Sequence, residues 1–451
     1  MLDIYVISLG CPKNRVDTER LLGGLNLPGT GGVRLVQDIA KAHVALVNTC
    51  AFISPAVRES VRTVLEQAAQ IVRLPAGCRP LLAVAGCLPG RYGGGELARE
   101  LPEVDLWLES KAMPAWPRLI MEALGRRDPS RRPADIGVEQ TVDMLCPPRF
   151  LAEAPSYAWL KICEGCGQSC SFCSIPFIRG HVRSDTLPSL EAEAAYLLEQ
   201  GAKELILVAQ DLTAWGRDLP GSPGLIRLLE RLLPLPGLKR LRLMYLYPAG
   251  ITEELLHFIR QAGPELLPYF DVPMQHAHPD VLRSMGRPFS QDPFRIIERI
   301  RAALPEAALR TSLIAGFPGE TEEMFETLCS FVRNARFHNL GAFSYYAEEG
   351  TAAATLPEQL PERVRDFRRD SLMEIQAEIS EEILREFVGK NLEVLVDAPH
   401  PEWPGLWTGR TWFQAPEADG VVYLSGEGLS VGDLVRAEIT ESFTYDLNAL
   451  T

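Results

Sequence analysis

The chain has 451 residues, 46% hydrophobic and 23% charged, with 45 Lys and Arg against 59 Asp and Glu for a net charge of −14. This length accommodates roughly two to four domains with their own cores, and the composition is that of a globular protein, not a disordered or fibrous one. No apolar run approaches the ~20 residues of a membrane-spanning helix, and the acidic balance lacks the basic footprint of a nucleic-acid binder and favours a basic partner.

The opening MLDIYVISLGCPKN has neither the basic start nor the small-residue cleavage site of a secretory signal. A cytoplasmic location is expected, where thiols stay reduced and grouped cysteines hold metal or do chemistry instead of forming disulfides.

Residues 1–125 alternate strand and helix. DIYVISLG, HVALVNT and LLAVAG read as strands, with helical stretches at about 14–25 and 54–72. Short apolar strands separated by helices predict a parallel sheet. A cysteine follows each strand: Cys11, Cys50 and Cys87. The C-terminal strand ends of a parallel sheet share one edge, where ligands bind, so three thiols distant in sequence should converge. Three thiolates suit an iron–sulfur cluster with one open iron; three buried core thiols are the alternative. Residues 126–156, with Pro129, Pro133, Pro147, Pro148 and Pro155, read as a linker.

From about 157 the alternation resumes with AWLKI, ELILVAQ, RLRLMYL, YFDVPMQ, RTSLIAG and LGAFSYY. Six βα units predict a partial barrel with functional loops at its strand C-terminal ends. The loop after the first strand is CEGCGQSCSFC, Cys163 to Cys173. Its two CxxC pairs lie too close together for the usual zinc spacing, and a ferredoxin run is spaced differently. Omitting Cys163 leaves Cys166-x3-Cys170-x2-Cys173, three thiolates from one loop. CxxxCxxC is the motif of the radical SAM superfamily, and Cys163 then reads as a packed thiol. Gln210 and Asp211 follow the second barrel strand, Gln275 and His276 the fourth, and GFPGET, Gly316 to Thr321, the fifth. His276 and His278 read equally as proton carriers or as loop hydrogen-bonding groups.

Apolar Val364, Phe367, Ile375, Ile379, Ile383 and Phe387 recur at helical spacing, which predicts a helix packed on the barrel. Beyond it LEVLVDA, LWTGRTWFQ, GVVYLSG and LVRAEITESF read as strands of a small OB-like β-barrel. Residues 390–451 carry −7, half of the chain's net charge. An RNA-gripping barrel should instead be basic. Trp403, Trp407, Trp412 and Phe413 read as packing residues, and Asp419, Glu427 and Asp433 as surface acids that steer a partner.

The whole chain resembles the radical SAM methylthiotransferases, and within them the RimO type. The residues that carry this include SLGCPKNRVDTER, VNTCAFI, AGCLPGRY, EGCGQSCSFCSIP, VPMQHAHPDVL, GFPGETEE and the final TYDL. Ser184, Asp185, Thr186, Trp215, Tyr346 and Ala347 depart from the usual pattern. The resemblance implies an α/β fold in three domains: a parallel-sheet domain at 1–125, a (βα)6 partial TIM barrel with trailing helix at 157–388 after the linker, and a TRAM β-barrel at 389–451.

It also implies two [4Fe-4S] clusters, on Cys11, Cys50 and Cys87 and on Cys166, Cys170 and Cys173, with S-adenosyl-L-methionine contacted at Phe172, Gln210 and Gly316. The implied reaction is methylthiolation of an aspartate β-carbon in a small-subunit ribosomal protein near the decoding centre. A β-carbon C–H is too weak an acid for general-base catalysis, so a cofactor must supply a radical. Implied partners are that basic protein and an electron donor such as flavodoxin or ferredoxin, with no membrane, and the enzyme is expected to be a monomer. A tRNA adenosine methylthiotransferase is the alternative, disfavoured because phosphate neutralisation needs Lys and Arg. A non-enzymatic iron–sulfur or zinc assembly protein is the third reading. Cys78, Cys146 and Cys329 are expected to be inert.

Overall fold

A computed structural model describes residues 1–27, 32–127, 148–152, 155–287 and 292–451. Most of the proline-rich linker expected at 126–156 lies outside the described residues. The chain divides into two bodies: Met1–Glu153 with Glu164–Gly167 and Cys173–Glu193, and Ala154–Cys163 with Gln168–Phe172 and Ala194–Thr451.

The first body is built on a parallel sheet of β1 (Leu2–Ser8), β2 (Val33–Leu35), β3 (Val44–Thr49), β4 (Leu81–Gly86) and β5 (Leu106–Glu109), in the order β2-β1-β3-β4-β5. Every residue of β3 and β4 is buried, as expected when helices cover both faces of a parallel sheet. Val44, Leu46, Leu81 and Ala83 pack on one face beneath helices α1 (Pro12–Leu25) and α4 (Trp116–Arg127). Ala45, Val47, Leu82 and Val84 pack on the other beneath α2 (Ser54–Arg73). A short helix, α3 (Cys87–Tyr92), opens directly at the end of β4. The sequence revealed the three central strands but not β2 and β5, whose three and four residues are too short to show a pattern.

In the second body six parallel strands follow chain order: β6 (Tyr157–Lys161), β7 (Glu204–Val208), β8 (Arg240–Leu243), β9 (Tyr269–Asp271), β10 (Ala308–Ala315) and β11 (Asn339–Ser344). They form two three-stranded sheets, β8-β7-β6 and β9-β10-β11, joined by a parallel bridge between Leu241 and Leu266 and by the Leu246 N–H on the Asp271 carbonyl at 2.8 Å. The third and fourth strands stop earlier than their apolar runs suggest. Tyr245 and Gln275 take φ of 61° and 72°, which a strand cannot accommodate, and Pro273 has no N–H to pair.

The C-terminal residues form a closed barrel, β12 (Asn391–Pro399), β13 (Leu406–Arg410), β14 (Val422–Ser425), β15 (Leu434–Ser442) and β16 (Leu447–Leu450), in the order β12-β13-β14-β16-β15. The expected strand through Trp412 and Phe413 ends at Arg410, and the last strand was not foreseen. This barrel packs on the N-terminal ends of the six parallel strands, away from Gln210 and Gly316. Glu204, fully buried, lies 2.6 Å from Arg242 and 2.8 Å from Arg410, which also pairs with Asp397 at 2.6 Å. The rings of Phe413 and Phe387 stack at 4.7 Å, and Trp412 approaches His338 at 6.4 Å, so Phe413 and Trp412 pack as expected, whereas Trp403 is exposed and lies against the His400 ring.

Asp419 is not the surface acid the sequence suggested. Its side chain is fully buried, accepting from Arg310 at 3.1 Å and from the Tyr269 hydroxyl at 2.7 Å. Sequence reveals a charge but not a distant arginine that faces it. Glu402, Glu417, Glu427, Glu438 and Glu441 are exposed and keep the barrel surface acidic.

Candidate metal centres

In the first body Cys11 is the N-cap of α1, Cys50 follows β3, and Cys87 opens α3 at the end of β4. Strands β1, β3 and β4 are neighbours, with Ser8 opposite Asn48 and Thr49 opposite Gly86 in register. The three thiols therefore share one sheet edge and influence one another electrostatically.

Two glycines make room for this edge. Gly10 has φ +89°, and a Cβ on it would stand 2.7 Å from the Cys50 Cβ. Gly86 has φ +97°, and a Cβ there would meet Asn48 Oδ1 at 2.2 Å. Asn14 binds the strand ends together, donating to the carbonyls of Leu9 and Thr49, each at 2.9 Å.

The site also contains a cation absent from the sequence reading. Arg179, at the end of the short helix α5 (Ile175–Arg179), is 5% exposed. Its Nη2 lies 3.3 Å from Cys87 Sγ and also donates to Asn14 Oδ1. Its Nη1 donates to Asp17 and Glu164, each at 2.9 Å. Burial alone would lower its pKa, but Glu164, Cys87 and Asp17 outweigh burial and hold the guanidinium charged well above its ordinary range. Burial pushes the Cys50 thiol up to about 12, with the neighbouring Cys87 adding to the rise. Burial also raises Cys87, against the pull of Arg179. Arg179 and Asn14 are 165 positions apart, so no local pattern announces their contact.

The second cysteine loop is fastened in both bodies. In the first, the Cys166 N–H donates to the Gly180 carbonyl at 3.1 Å, and the Ser174 hydroxyl donates to the Phe52 carbonyl at 3.1 Å. In the second, Ser171 donates through its N–H to the Met285 carbonyl at 3.0 Å and through its hydroxyl to the Ser284 carbonyl at 2.8 Å. Arg287, 4% exposed, reaches Cys170 Sγ at 3.7 Å, donates to the Pro273 carbonyl at 2.7 Å and lies 4.7 Å from the Tyr247 ring centroid.

The other candidates in the second body divide into three groups. Phe172 packs with Val281, Met285, Phe317 and Tyr345. Gln210 lies two residues beyond the end of β7, and its neighbour Asp211 accepts from Gln168 of the cysteine loop at 3.0 Å. Gly316 donates its N–H to Glu320 at 2.9 Å, and a Cβ there would stand 2.3 Å from Arg365 Cγ. Its amide is thus committed within its own loop.

His276 is fully buried. It accepts the His278 N–H at 2.9 Å on Nδ1 and faces Glu320 at 3.3 Å with Nε2. Burial lowers its pKa despite Glu320. His278 caps the following helix by accepting the Asp280 N–H at 3.3 Å. Both histidines organise the loop. Cys163 is 1% exposed, with Sγ 3.9 Å from the Asp211 carbonyl, and is a packed thiol.

Among the described residues no His, Cys, Asp or Glu side chains form the ligand set of a single metal ion. Thiols at three adjacent strand ends, with the buried Arg179 donating to Cys87, and a cysteine loop whose Cys170 accepts from the buried Arg287, suit anionic multi-iron clusters, in which hydrogen bonds to sulfur are a main tuning device.

Three family models match the chain: the radical SAM superfamily at residues 160–332, the TRAM domain at 388–451, and uncharacterized protein family UPF0004 at 3–109. The chain is 58% identical to ribosomal protein uS12 methylthiotransferase RimO of Nitratidesulfovibrio vulgaris, over 100% of both chains. It is 51% identical to that of Lawsonia intracellularis, over 100% of this chain and 98% of the relative. Identity to that of Geobacter sulfurreducens is 43%, over 98% and 97%. The chain belongs to the RimO family. Like the rest of that family it is a radical SAM enzyme and a transferase. A cobalamin- and [4Fe-4S]-bound radical S-adenosylmethionine methyltransferase, TsrM of Kitasatospora setae, shares the fold of this RimO-family chain, with TM-score 0.57 and 14% identity over 90% of this chain and 80% of that one. No helix among the described residues is long and apolar enough to cross a membrane.

Proposed function

We propose that this chain methylthiolates the β-carbon of an aspartate in ribosomal protein uS12, with Cys11, Cys50 and Cys87 holding one [4Fe-4S] cluster and Cys166, Cys170 and Cys173 the other. The observation that carries this reading is the alignment of three thiols on adjacent strand ends, in a chain 58% identical to a uS12 methylthiotransferase along its whole length. When bound, the clusters and S-adenosyl-L-methionine supply the hydrogen-abstracting radical, the sulfur and the methyl group.

The chain's own residues hold and shape this chemistry. Arg287 supports Cys170 and Arg179 supports Cys87. Phe172 and Gln210 serve the S-adenosyl-L-methionine side of the barrel mouth. Gly316 contributes the shape of its loop, since its amide already bonds Glu320. The exposed glutamates of the small barrel attract the basic substrate protein, because complementary charge speeds encounter and filters partners. Glu427, Glu438 and Glu441 now stand for the steering surface in place of the buried Asp419. The enzyme works in the cytoplasm as a monomer, with a flavodoxin- or ferredoxin-class electron donor.

The test is a competition assay read by mass spectrometry, with reconstituted protein given S-adenosyl-L-methionine, a reductant, uS12 and bulk tRNA together. A methylthio adduct on a uS12 aspartate is expected; an adduct on tRNA would overturn the substrate assignment. In the same assay Cys11→Ala should still cleave S-adenosyl-L-methionine but give no methylthio product, and undiminished product would remove the three-thiol site from the reaction.

A further inference from the structure

We infer that Arg179 sets the reduction potential of the cluster at Cys11, Cys50 and Cys87, and that it is a positioning residue joining that site to the loop carrying Cys166 and Cys173. The inference rests on the proposal that the three thiols hold a cluster. It adds a role for a residue outside the cysteine set.

The geometry supports both parts. Arg179 is 5% exposed, and its guanidinium donates from Nη2 to Cys87 Sγ at 3.3 Å. A charge-assisted hydrogen bond is about twice as strong as a neutral one, and burial strengthens it further. A donor of this kind stabilises the more negative, reduced cluster over the oxidised one. Its orientation is fixed from the other side, where Nη1 is shared by Asp17 and Glu164, each at 2.9 Å. These two carboxylates hold the fork in place without contacting the sulfur through it.

The same side chain connects the two motifs. Nη2 also donates to Asn14 Oδ1, and Asn14 binds the strand-end carbonyls of Leu9 and Thr49. In the other direction, the Gly180 carbonyl, one residue beyond Arg179, accepts the Cys166 N–H at 3.1 Å. A displacement of Arg179 would therefore pass to the three-thiol site and to the second cysteine loop alike.

The experiment uses the full chain with Cys166, Cys170 and Cys173 replaced by Ala, so that any iron–sulfur signal comes from the three-thiol site. Midpoint potential is read by a dithionite titration followed by electron paramagnetic resonance, with iron content measured in parallel. Arg179→Gln alone would orphan two buried carboxylates and endanger the fold, so Arg179→Gln is compared with Arg179 in a shared Asp17→Asn, Glu164→Gln background. Arg179→Lys in the unaltered background is the conservative variant.

The expected result is retained iron with a potential more negative by about 59 mV or more in the Gln variant, a tenfold loss in the one-electron reduction equilibrium, and a smaller shift in the Lys variant. Unchanged potential at full iron content would overturn the inference. Loss of iron with unchanged potential in the fraction that retains it would also overturn it, leaving Arg179 a purely structural role. Failure of the Arg179-containing parent to bind iron would overturn the three-thiol assignment itself, and the inference with it.

Discussion

In the iron-free chain Cys50 should be a poor nucleophile at neutral pH. The structure sets the size of the effect. Burial, with the neighbouring Cys87, moves this thiol from 9.0 to about 12. Three pKa units lower the thiolate fraction roughly 1000-fold. A more basic thiolate is also more reactive, with a Brønsted slope of ~0.4–0.5, which restores roughly 16- to 30-fold. The net expectation is alkylation roughly 30- to 60-fold slower than that of an unperturbed thiol.

The assay is iodoacetamide labelling of the apo chain across pH, resolved by peptide mass spectrometry, with exposed Cys78 as the internal comparison. Limited access would slow Cys50 equally at every pH. A raised pKa makes its rate keep climbing beyond pH 10. A plateau near pH 9 would refute the reasoning. The sign for stability follows from the same shift. Because the fold raises this pKa, the neutral thiol contributes stability that is present below about 9 and lost as pH rises toward about 12. Cluster ligands must be deprotonated, so iron occupancy should fall as pH is lowered.

The seam beneath the small barrel should be acid-sensitive. Burial opposes ionisation of Glu204, but Arg242 and Arg410 hold it at about 2 instead of 4.5. Its contribution, about 3 kcal/mol, is present above pH 4.5 and lost as pH falls toward 2. Glu204→Gln should cost about 3–5 kcal/mol in urea unfolding, the range for breaking a buried ion pair, and a cost under about 1 kcal/mol would discount the pair. At the same seam burial, then Arg301, lowers His338 from 6.5 to about 4, so the neutral ring stabilises above pH 6.5 and this support is lost as pH falls to about 4. His338→Phe should flatten that part of the thermal-stability profile. Gly10→Ala should lower iron at the three-thiol site but spare the other site. A positive φ costs a non-glycine residue about 1–3 kcal/mol, and the added Cβ would overlap Cys50 at 2.7 Å. Equal iron loss at both sites would point to general misfolding.

The sequence alone determined the cysteine motifs and most of the architecture, because both rest on short-range pattern. The CxxxCxxC loop lies within eight residues, from Cys166 to Cys173. The apolar runs of β3 and β4 reveal buried strands, and a cysteine after each locates it at the ligand-binding edge. The tertiary structure decided which charges meet. Arg179 touches Cys87 and Asn14 from 92 and 165 positions away. Asp419 looked like a steering acid and is an internal partner of Arg310 and Tyr269. His276 accepts the His278 N–H and His278 the Asp280 N–H, loop contacts that the residue types alone did not specify. Periodicity records whether a side chain faces a core, since one helix or strand sets that face. A buried ion pair depends on two segments that only the completed fold brings together, and nothing in the local pattern of either segment specifies its partner.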